Sequence, residues 1–427
     1  MGDLGLMLAA VQSLRSEFPQ HQITILSQFA NLKRPCGQEF AIEELGIEEL
    51  PWLCIPVAKI PTCLRGPWLM TKGLMYLCLI LATRLLGRRL LSLIPFRSRK
   101  PLQRLFGADV IVSKPGGFVY GYGRVPGPHH LQHLLLASMC GPPVVIYGQS
   151  IGPFSAKTWT GVLAFVLRRM TMFFLRDQAS MNCCMNALKL DPGKLVLTAD
   201  EAFRFHAKSE AVASPSHGSP AGLKVGLTVI NWAFPESDSP EQTKQSYLQA
   251  LEELIIDLRA KYDAEITMFS FLRARPGVAG DDEVSQSFYD RVGQLGRIEL
   301  VLPTDPFAIK AHICKFDIFI GSRMHSNIFA LGEGVPVLAI AYQPKTTSIM
   351  EMLGLSEFVS DIYSVSGPQL IALADRLISD RFNVAANVRI AVDRIATRAA
   401  GNASGTAAVA RKYSTQSKDH NHIERST

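Results

Sequence analysis

The stretch FDIFIGSRMHSNIFALGEGVPVLAIAYQPK, Phe316 to Lys345, decides the fold. Phe316 with Ile318 to Ile320 reads as a buried strand, Gly321-Ser322-Arg323-Met324-His325 turns the chain, and Ser326 to Gly332 reads as a short helix. Gly334-Val335-Pro336 punctuates, Val337 to Ala341 is a second buried strand, and Lys345 follows the next turn. An Arg, a His and a Lys are thus delivered to the carboxyl ends of two parallel strands, where open α/β sheets place their ligand crevice. Arg offers a planar fork for carboxylate or phosphate, Lys a compact positive charge, and His a proton near neutral pH. The set suits an anionic substrate that needs acid–base chemistry.

The same alternation extends in both directions. Before the quoted stretch, Lys224 to Ile230, Ala264 to Phe271 and Ile298 to Leu302 read as strands, with helices at Gln245 to Lys261 and Ser285 to Leu295. In the first half, Leu4 to Ser16 has helical periodicity with Asp3 as the expected N-cap. Gln22 to Leu26, Asp109 to Ser113, Val144 to Tyr147 and Met172 to Leu175 read as strands, and Gly161 to Met170 as a helix. This βαβ rhythm predicts parallel sheets covered on both faces. His206 to Gly222, rich in Ser, Ala, Pro and Gly, reads as an interdomain linker. The expected organisation is therefore an N-terminal Rossmann-like domain over 1–206, a linker over 207–222, a C-terminal Rossmann-like domain over 223–396, and a polar, disordered tail over 397–427.

A length of 427 residues is too great for one core, which agrees with two domains. The net charge of +7 comes from scattered basic residues. The one dense basic run is Arg84, Arg88, Arg89, Arg97, Arg99, Lys100 and Arg104. No nucleic-acid motif or interleaved aromatic series accompanies it, so an anionic small substrate or membrane headgroups explain the charge better than nucleic acid. The eight cysteines lack C-x-x-C or zinc spacing and read as reduced thiols in apolar surroundings. Residues 1–17 lack a charged start and a cleavage region, which gives a cytoplasmic expectation.

Trp68 to Leu93 is unusually apolar. Its uninterrupted part, Leu74 to Thr83, is bracketed by Lys72 and Arg84 and reads as too short to span a bilayer. Two readings remain open: a buried helix with basic ends, or an interfacial helix giving peripheral contact at the inner face of the membrane.

Further polar groups follow other strands. Gly116-Gly117 and Gly148-Gln149-Ser150-Ile151-Gly152-Pro153 read as turns whose backbone approaches an anionic or sugar ligand, or as plain structural turns. Arg176-Asp177 reads either as a surface ion pair whose Asp177 caps the next helix, or as a cleft-facing arginine that binds an anion. Asp200 and Glu201 are carboxylates that serve as a base or are merely solvated. His325 by itself is more often a core histidine than a catalyst. His129 and His133 have the i,i+4 spacing of metal ligands, but no third ligand accompanies them, so no metal is expected.

Taken in order, these stretches make the chain resemble the polysaccharide pyruvyl transferase family. The matching motifs are Gly2-Asp3, Asp109 to Gly117, Gly148 to Pro153, Arg176-Asp177 with Ser180, Asp200 to Phe203, Gly321 to His325, Gly334-Val335-Pro336, Tyr342 and Lys345. The resemblance implies a GT-B-like α/β fold, two Rossmann-like domains facing across a cleft. It implies transfer of pyruvate from phosphoenolpyruvate onto two hydroxyls of a sugar or polysaccharide acceptor, with no cofactor. By the same resemblance His325 is the catalytic position, and Arg323, Arg176, Lys345, Gly116, Gly117, Gln149, Asp200 and Asp3 are substrate-binding positions. Family members begin with a strand and a Gly/Asn-rich loop, whereas here Met1 directly precedes Gly2-Asp3, so the expected N-terminal sheet lacks its first strand. The alternatives are a GT-B sugar-nucleotide glycosyltransferase, with Glu333 as the ribose-binding acid, and a non-catalytic glycan- or anion-binding relative.

Overall fold

The computed structural model describes residues 2–27, 30, 46–53, 62–121, 128–154, 157–205, 222–272, 274, 280–303 and 305–423. Among these, two compact units are formed, one by residues 10–201 and 397–423, the other by residues 2–9 and 202–396. The expected linker lies outside the described residues except for Gly222.

Helix α1 (Gly2–Glu17) is the first described element. The helix already begins at Gly2, so Asp3 sits in its first turn rather than capping it. Leu4, Leu6, Leu8 and Ala9 are buried, and up to Ala9 they belong to the second unit. The N-terminal unit continues with β1 (Thr24–Ser27), β2 (Glu48–Pro51), α2 (Thr62–Leu86), α3 (Phe96–Gly107), β3 (Ile111–Ser113), β4 (Gly116–Gly121) and α4 (Pro128–Met139). It is completed by β5 (Val144–Phe154), α5 (Lys157–Leu167), β6 (Met172–Leu175), α6 (Gln178–Asn182) and β7 (Leu195–Leu197). Strands β1 and β2 pair in a small parallel sheet. A second parallel sheet runs β3-β5-β6-β7, and β4 pairs with the far half of β5. Unbroken apolar runs such as Val144 to Tyr147 are buried because helices cover both faces of a parallel sheet.

Two glycine turns of the sequence reading prove to be strand. Gly116 and Gly117 open β4, and β5 runs on past Tyr147 to Phe154. Gly116 adopts φ +143° with the Phe118 ring where a Cβ would stand, so only glycine fits there.

The second unit contains β8 (Lys224–Thr228), α7 (Pro240–Tyr262), β9 (Glu265–Phe269), α8 (Asp282–Val292), β10 (Ile298–Val301), α9 (Pro306–Ile313) and β11 (Ile318–Gly321). It continues with α10 (Met324–Gly332), β12 (Val337–Ala341), α11 (Pro344–Met352), β13 (Val359–Asp361), α12 (Gly367–Ser379) and the first part of α13 (Arg381–Ile423). The six strands pair in parallel in the order β10-β9-β8-β11-β12-β13. This is the doubly wound Rossmann order, and its direction reverses between β8 and β11.

The chain's end corrects the sequence reading. The tail expected to be disordered is helical to Ile423 and belongs to the N-terminal unit. Ala399, Ala403, Ala407 and Ala410 recur at helical spacing and are buried, a stripe that Ala/Ser-rich composition disguises. Asn402 donates to the carbonyl of Ala199 (3.1 Å) and to Glu201 Oε2 (2.7 Å), and its own Oδ1 accepts from Thr198 (2.6 Å).

The apolar segment also differs from expectation. Helix α2 is 25 residues long, and over Gly66–Leu86 it is long and apolar enough to cross a membrane by length and composition, with 28% of that window buried. Lys72 and Arg84 interrupt the apolarity without ending the helix.

Candidate functional site

The second unit gathers its polar groups at the switch between β8 and β11. Gly321 ends β11 where a Cβ would lie 1.6 Å from Asn327 Oδ1, and Asn327 Nδ2 donates to the Gly321 carbonyl (3.1 Å). Glycine therefore permits the tight strand-to-helix turn that aims Arg323. The turn is braced by Ser322 N donating to Thr228 Oγ1 (3.0 Å), by Tyr247 Oη against Ser322 Oγ (2.8 Å) and by Ser326 Oγ donating to the Arg323 carbonyl (2.6 Å).

Arg323 stands at the N-cap of α10. Its Nε and Nη2 donate to the two oxygens of Asp281, at 2.8 and 2.6 Å. Asp281 is fully buried and also accepts from the backbone N–H of Asn231 (2.9 Å) and Leu272 (3.2 Å). Burial alone would push the Arg323 pKa down, but Asp281 and Tyr342 more than offset this and hold it above its usual value. The guanidinium is thus a fixed cation with its fork oriented. Its carbon lies 5.9 Å from the Tyr342 ring, and Lys345 Nζ lies 5.7 Å from the same ring. Trp232 packs on Tyr342 at 4.7 Å. Lys345 is exposed in the first turn of α11, so two helix N-termini and two cations converge at the ends of β11 and β12.

His325 lies on the first turn of α10 with its ring against Gly2, where a Cβ would come within 2.5 Å of Nδ1. The Gly2-Asp3 motif is therefore beside the Arg323–His325 motif in one unit, not in the N-terminal domain where the sequence reading placed it. Asp281, Trp232 and Asn231 escaped that reading. Their signal is weak but present: each follows a strand of the same sheet, β8 or β9, at its carboxyl end.

In the N-terminal unit, Gln149, Arg176 and Asp200 are brought together after neighbouring parallel strands. Arg176 is not a surface pair. It is buried, with Nη1 donating to Asp200 Oδ2 (2.5 Å) and Nε to Ser150 Oγ (2.6 Å). Asp177 does cap α6, accepting from Ser180 N (2.7 Å), while its other oxygen accepts from Ser150 Oγ (2.6 Å). Asp200 is thus the counter-ion of Arg176 rather than a solvated carboxylate. Gly117 lies against Arg176, with 3.7 Å between Nη2 and the place of a Cβ. Gln149 is fully buried, donates to Ser113 Oγ (2.7 Å) and the Lys114 carbonyl (2.6 Å), and leaves Oε1 without a partner.

Ser113 also meets His130 Nε2 at 3.3 Å. Burial, with smaller contributions from His133 and Lys114, pushes the His130 pKa down to about 4 from 6.5. A depressed histidine pKa means that the neutral ring is favoured by folding. Its stability contribution is complete above pH 6.5 and is lost as pH falls toward 4, by up to about 3 kcal/mol. His130→Gln is expected to flatten the fall in urea midpoint between pH 7 and pH 4. An unchanged acid slope would assign the fall to other groups.

His133 packs tilted against Trp52 with ring centroids 4.6 Å apart, and the His129 side chain is outside the described residues. No group of three His, Cys, Asp or Glu side chains able to hold a metal is found among the described residues. Cys140 and Cys184 are buried, and burial pushes both thiols up to about 12.

Comparison with known proteins follows the same lines. The model of the polysaccharide pyruvyl transferase family matches residues 1–344. The amylovoran biosynthesis protein AmsJ of Erwinia amylovora is 25% identical over 295 residues, which cover 67% of this chain and 69% of AmsJ. Among solved structures, UDP-GlcNAc 2-epimerase of Neisseria meningitidis bound to UDP-GlcNAc has a TM-score of 0.57 at 13% identity, over 94% of this chain and 96% of that one. Anabaena HepE in complex with UDP and glucose has a TM-score of 0.54 at 13% identity, over 94% and 95%. A glycosyltransferase of Rickettsia africae has a TM-score of 0.54 at 10% identity, over 98% and 94%. At such identities the structural likeness establishes the GT-B glycosyltransferase/epimerase fold and nothing further.

Proposed function

Because this chain belongs to the polysaccharide pyruvyl transferase family and is thereby a transferase, we propose that it moves pyruvate from phosphoenolpyruvate onto two hydroxyls of a sugar in a polysaccharide or its lipid-linked precursor. The observation that carries the reading is the Arg323 fork, held by buried Asp281 two residues before His325 and beside Tyr342 and Lys345. Phosphoenolpyruvate carries a carboxylate and a phosphate, and Arg323, Lys345 and the two helix N-termini match that charge. His325, as imidazolium, gives a proton to the methylene carbon, which becomes the methyl group. The first sugar hydroxyl bonds to the oxocarbenium-like carbon and its proton returns to the imidazole. The bond from that carbon to the phosphate oxygen then breaks, and the second hydroxyl closes the ketal as its proton leaves with the phosphate. The scheme calls on no metal or bound cofactor, and a cytoplasmic supply of phosphoenolpyruvate suits it.

Support for an acceptor in an extracellular polysaccharide pathway comes from the likeness to an amylovoran biosynthesis protein. The rival sugar-nucleotide reading needs Glu333 for a ribose. Glu333 instead lies 2.6 Å from the buried Lys310 ammonium, which also donates to the Phe205 carbonyl.

Phosphate release from phosphoenolpyruvate, screened against sugar and lipid-linked acceptors in parallel with nucleotide binding, tests the reading. Acceptor-dependent phosphate release supports it. Nucleotide binding with no phosphate release points to the glycosyltransferase, and neither activity points to a binding protein. In the same assay Arg323→Lys, which keeps the charge that Asp281 needs, is expected to lower kcat/KM about 10²-fold through loss of the fork. An unchanged KM for phosphoenolpyruvate in that variant would remove Arg323 from the donor site.

A further inference from the structure

We propose that the outer face of α2 and the arginines that follow it dock this chain reversibly on a bilayer surface containing anionic phospholipid. The inference is independent of the reaction.

The helix has two unlike faces, both apolar. Leu69, Gly73, Tyr76, Ile80 and Thr83 recur at spacings of three and four and are buried against their own unit. The fit there is close: a Cβ on Gly73 would lie 1.8 Å from Gln132 Nε2, which donates to the Leu69 carbonyl (2.8 Å), and Tyr76 Oη meets Ser98 Oγ at 2.7 Å. On the opposite side Met70, Leu74, Cys78, Leu81 and Leu85 recur at the same spacings and are exposed, Leu74 at 62% and Leu85 at 83%. A helix on the surface of a soluble domain ordinarily turns charged residues outward. Here the outward stripe runs for about four turns, roughly 24 Å, with no charged residue on it. Contiguous apolar surface of this kind marks an interaction site.

The charges around the stripe say what covers it. The sequence has no Asp or Glu between Glu49 and Asp109. Arg84, in the last turn of α2 beside the stripe, and Arg88, Arg89 and Arg97 after the helix are exposed, and so is Leu93. An apolar strip in a segment whose only charged residues are basic complements an anionic headgroup layer over acyl chains. The docking is flat. To span the bilayer, α2 would have to leave its unit, expose Tyr76 and Ile80 to lipid and give up the Gln132 and Ser98 hydrogen bonds. The length and hydropathy that pass for a span are thus used in the interface plane.

Co-sedimentation of the full chain with vesicles tests this. Vesicles of equal phosphatidylglycerol and phosphatidylcholine are expected to pellet the protein at low salt, with release at high salt and little binding to phosphatidylcholine alone. Leu74→Glu/Leu81→Glu/Leu85→Glu is expected to abolish pelleting at every salt concentration. Arg89→Ala/Arg97→Ala, which replaces two exposed arginines and leaves the stripe unchanged, is expected to weaken partitioning about fivefold per charge removed. The proposal is overturned if the unmodified chain stays in the supernatant with anionic vesicles at low salt. It also fails if neutral and anionic vesicles bind alike, or if the stripe instead holds a dimer that the leucine substitutions make monomeric.

Discussion

His325→Ala is expected to lower pyruvyl transfer by about 10²–10⁴-fold, the usual contribution of a positioned general acid. On the proposed reaction, no phosphate leaves until the methylene carbon has been protonated, so the loss falls on kcat. Phosphoenolpyruvate binding is expected to survive, because the proposed reaction assigns its charge to Arg323 and Lys345 rather than to the imidazole. The variant removes a ring that packs against Gly2, so rates belong on the folded fraction, checked by a thermal midpoint. A second variant approaches the same ring from the other side. Gly2→Ala would bring a methyl within 2.5 Å of Nδ1, and is expected to lower kcat by displacing an imidazole that remains present. Near wild-type turnover in His325→Ala would make the histidine structural and return the proton donor to an unassigned group.

Asp200→Ala is expected to destabilise the N-terminal unit by about 3–5 kcal/mol, because it leaves the buried Arg176 guanidinium without its counter-ion. Ser150 Oγ would remain as a partner, but a neutral hydroxyl cannot balance the charge. A urea titration reads this as a lower midpoint. Replacing both members, Arg176→Met/Asp200→Leu, is expected to recover most of the loss, since an apolar pair of similar volume replaces a pair whose desolvation offsets its attraction. A change below about 1 kcal/mol in Asp200→Ala would mean that the pair behaves as if solvated.

Much of the fold is legible along the chain. Met172–Leu175 and Val337–Ala341 are strands at both expected ends, because unbroken apolar runs between turn-formers suit only a doubly covered strand. Helix α10 begins two residues earlier than its apolar pattern, since Arg323 takes the N-cap and draws Met324 and His325 into the first turn. That shift puts Arg323 and His325 at one helix start, which makes the pair readable as a site. Asp281, about 40 residues away in sequence, is not readable in this way. It is one Asp-Asp dipeptide among ordinary helix-starting acids until the β9 loop brings it under Arg323.

The features readable along the chain are local: the alternation of strand and helix, the glycines at the turns, and the cations that arrive at strand ends. Period and turn chemistry are set by neighbours within a few residues, so they survive without knowledge of the rest. The tertiary structure alone decided the partners. It assigned Asp200 to Arg176, Asp281 to Arg323, and Gly2 to His325. It placed residues 2–9 in the C-terminal unit and the last helix, from residue 397 on, in the N-terminal one. It also decided which face of α2 is inside, a question hydropathy could not answer because both faces are apolar. In each case the deciding energy is burial and charge pairing between residues far apart in the chain, and such pairings leave no periodic trace in the sequence.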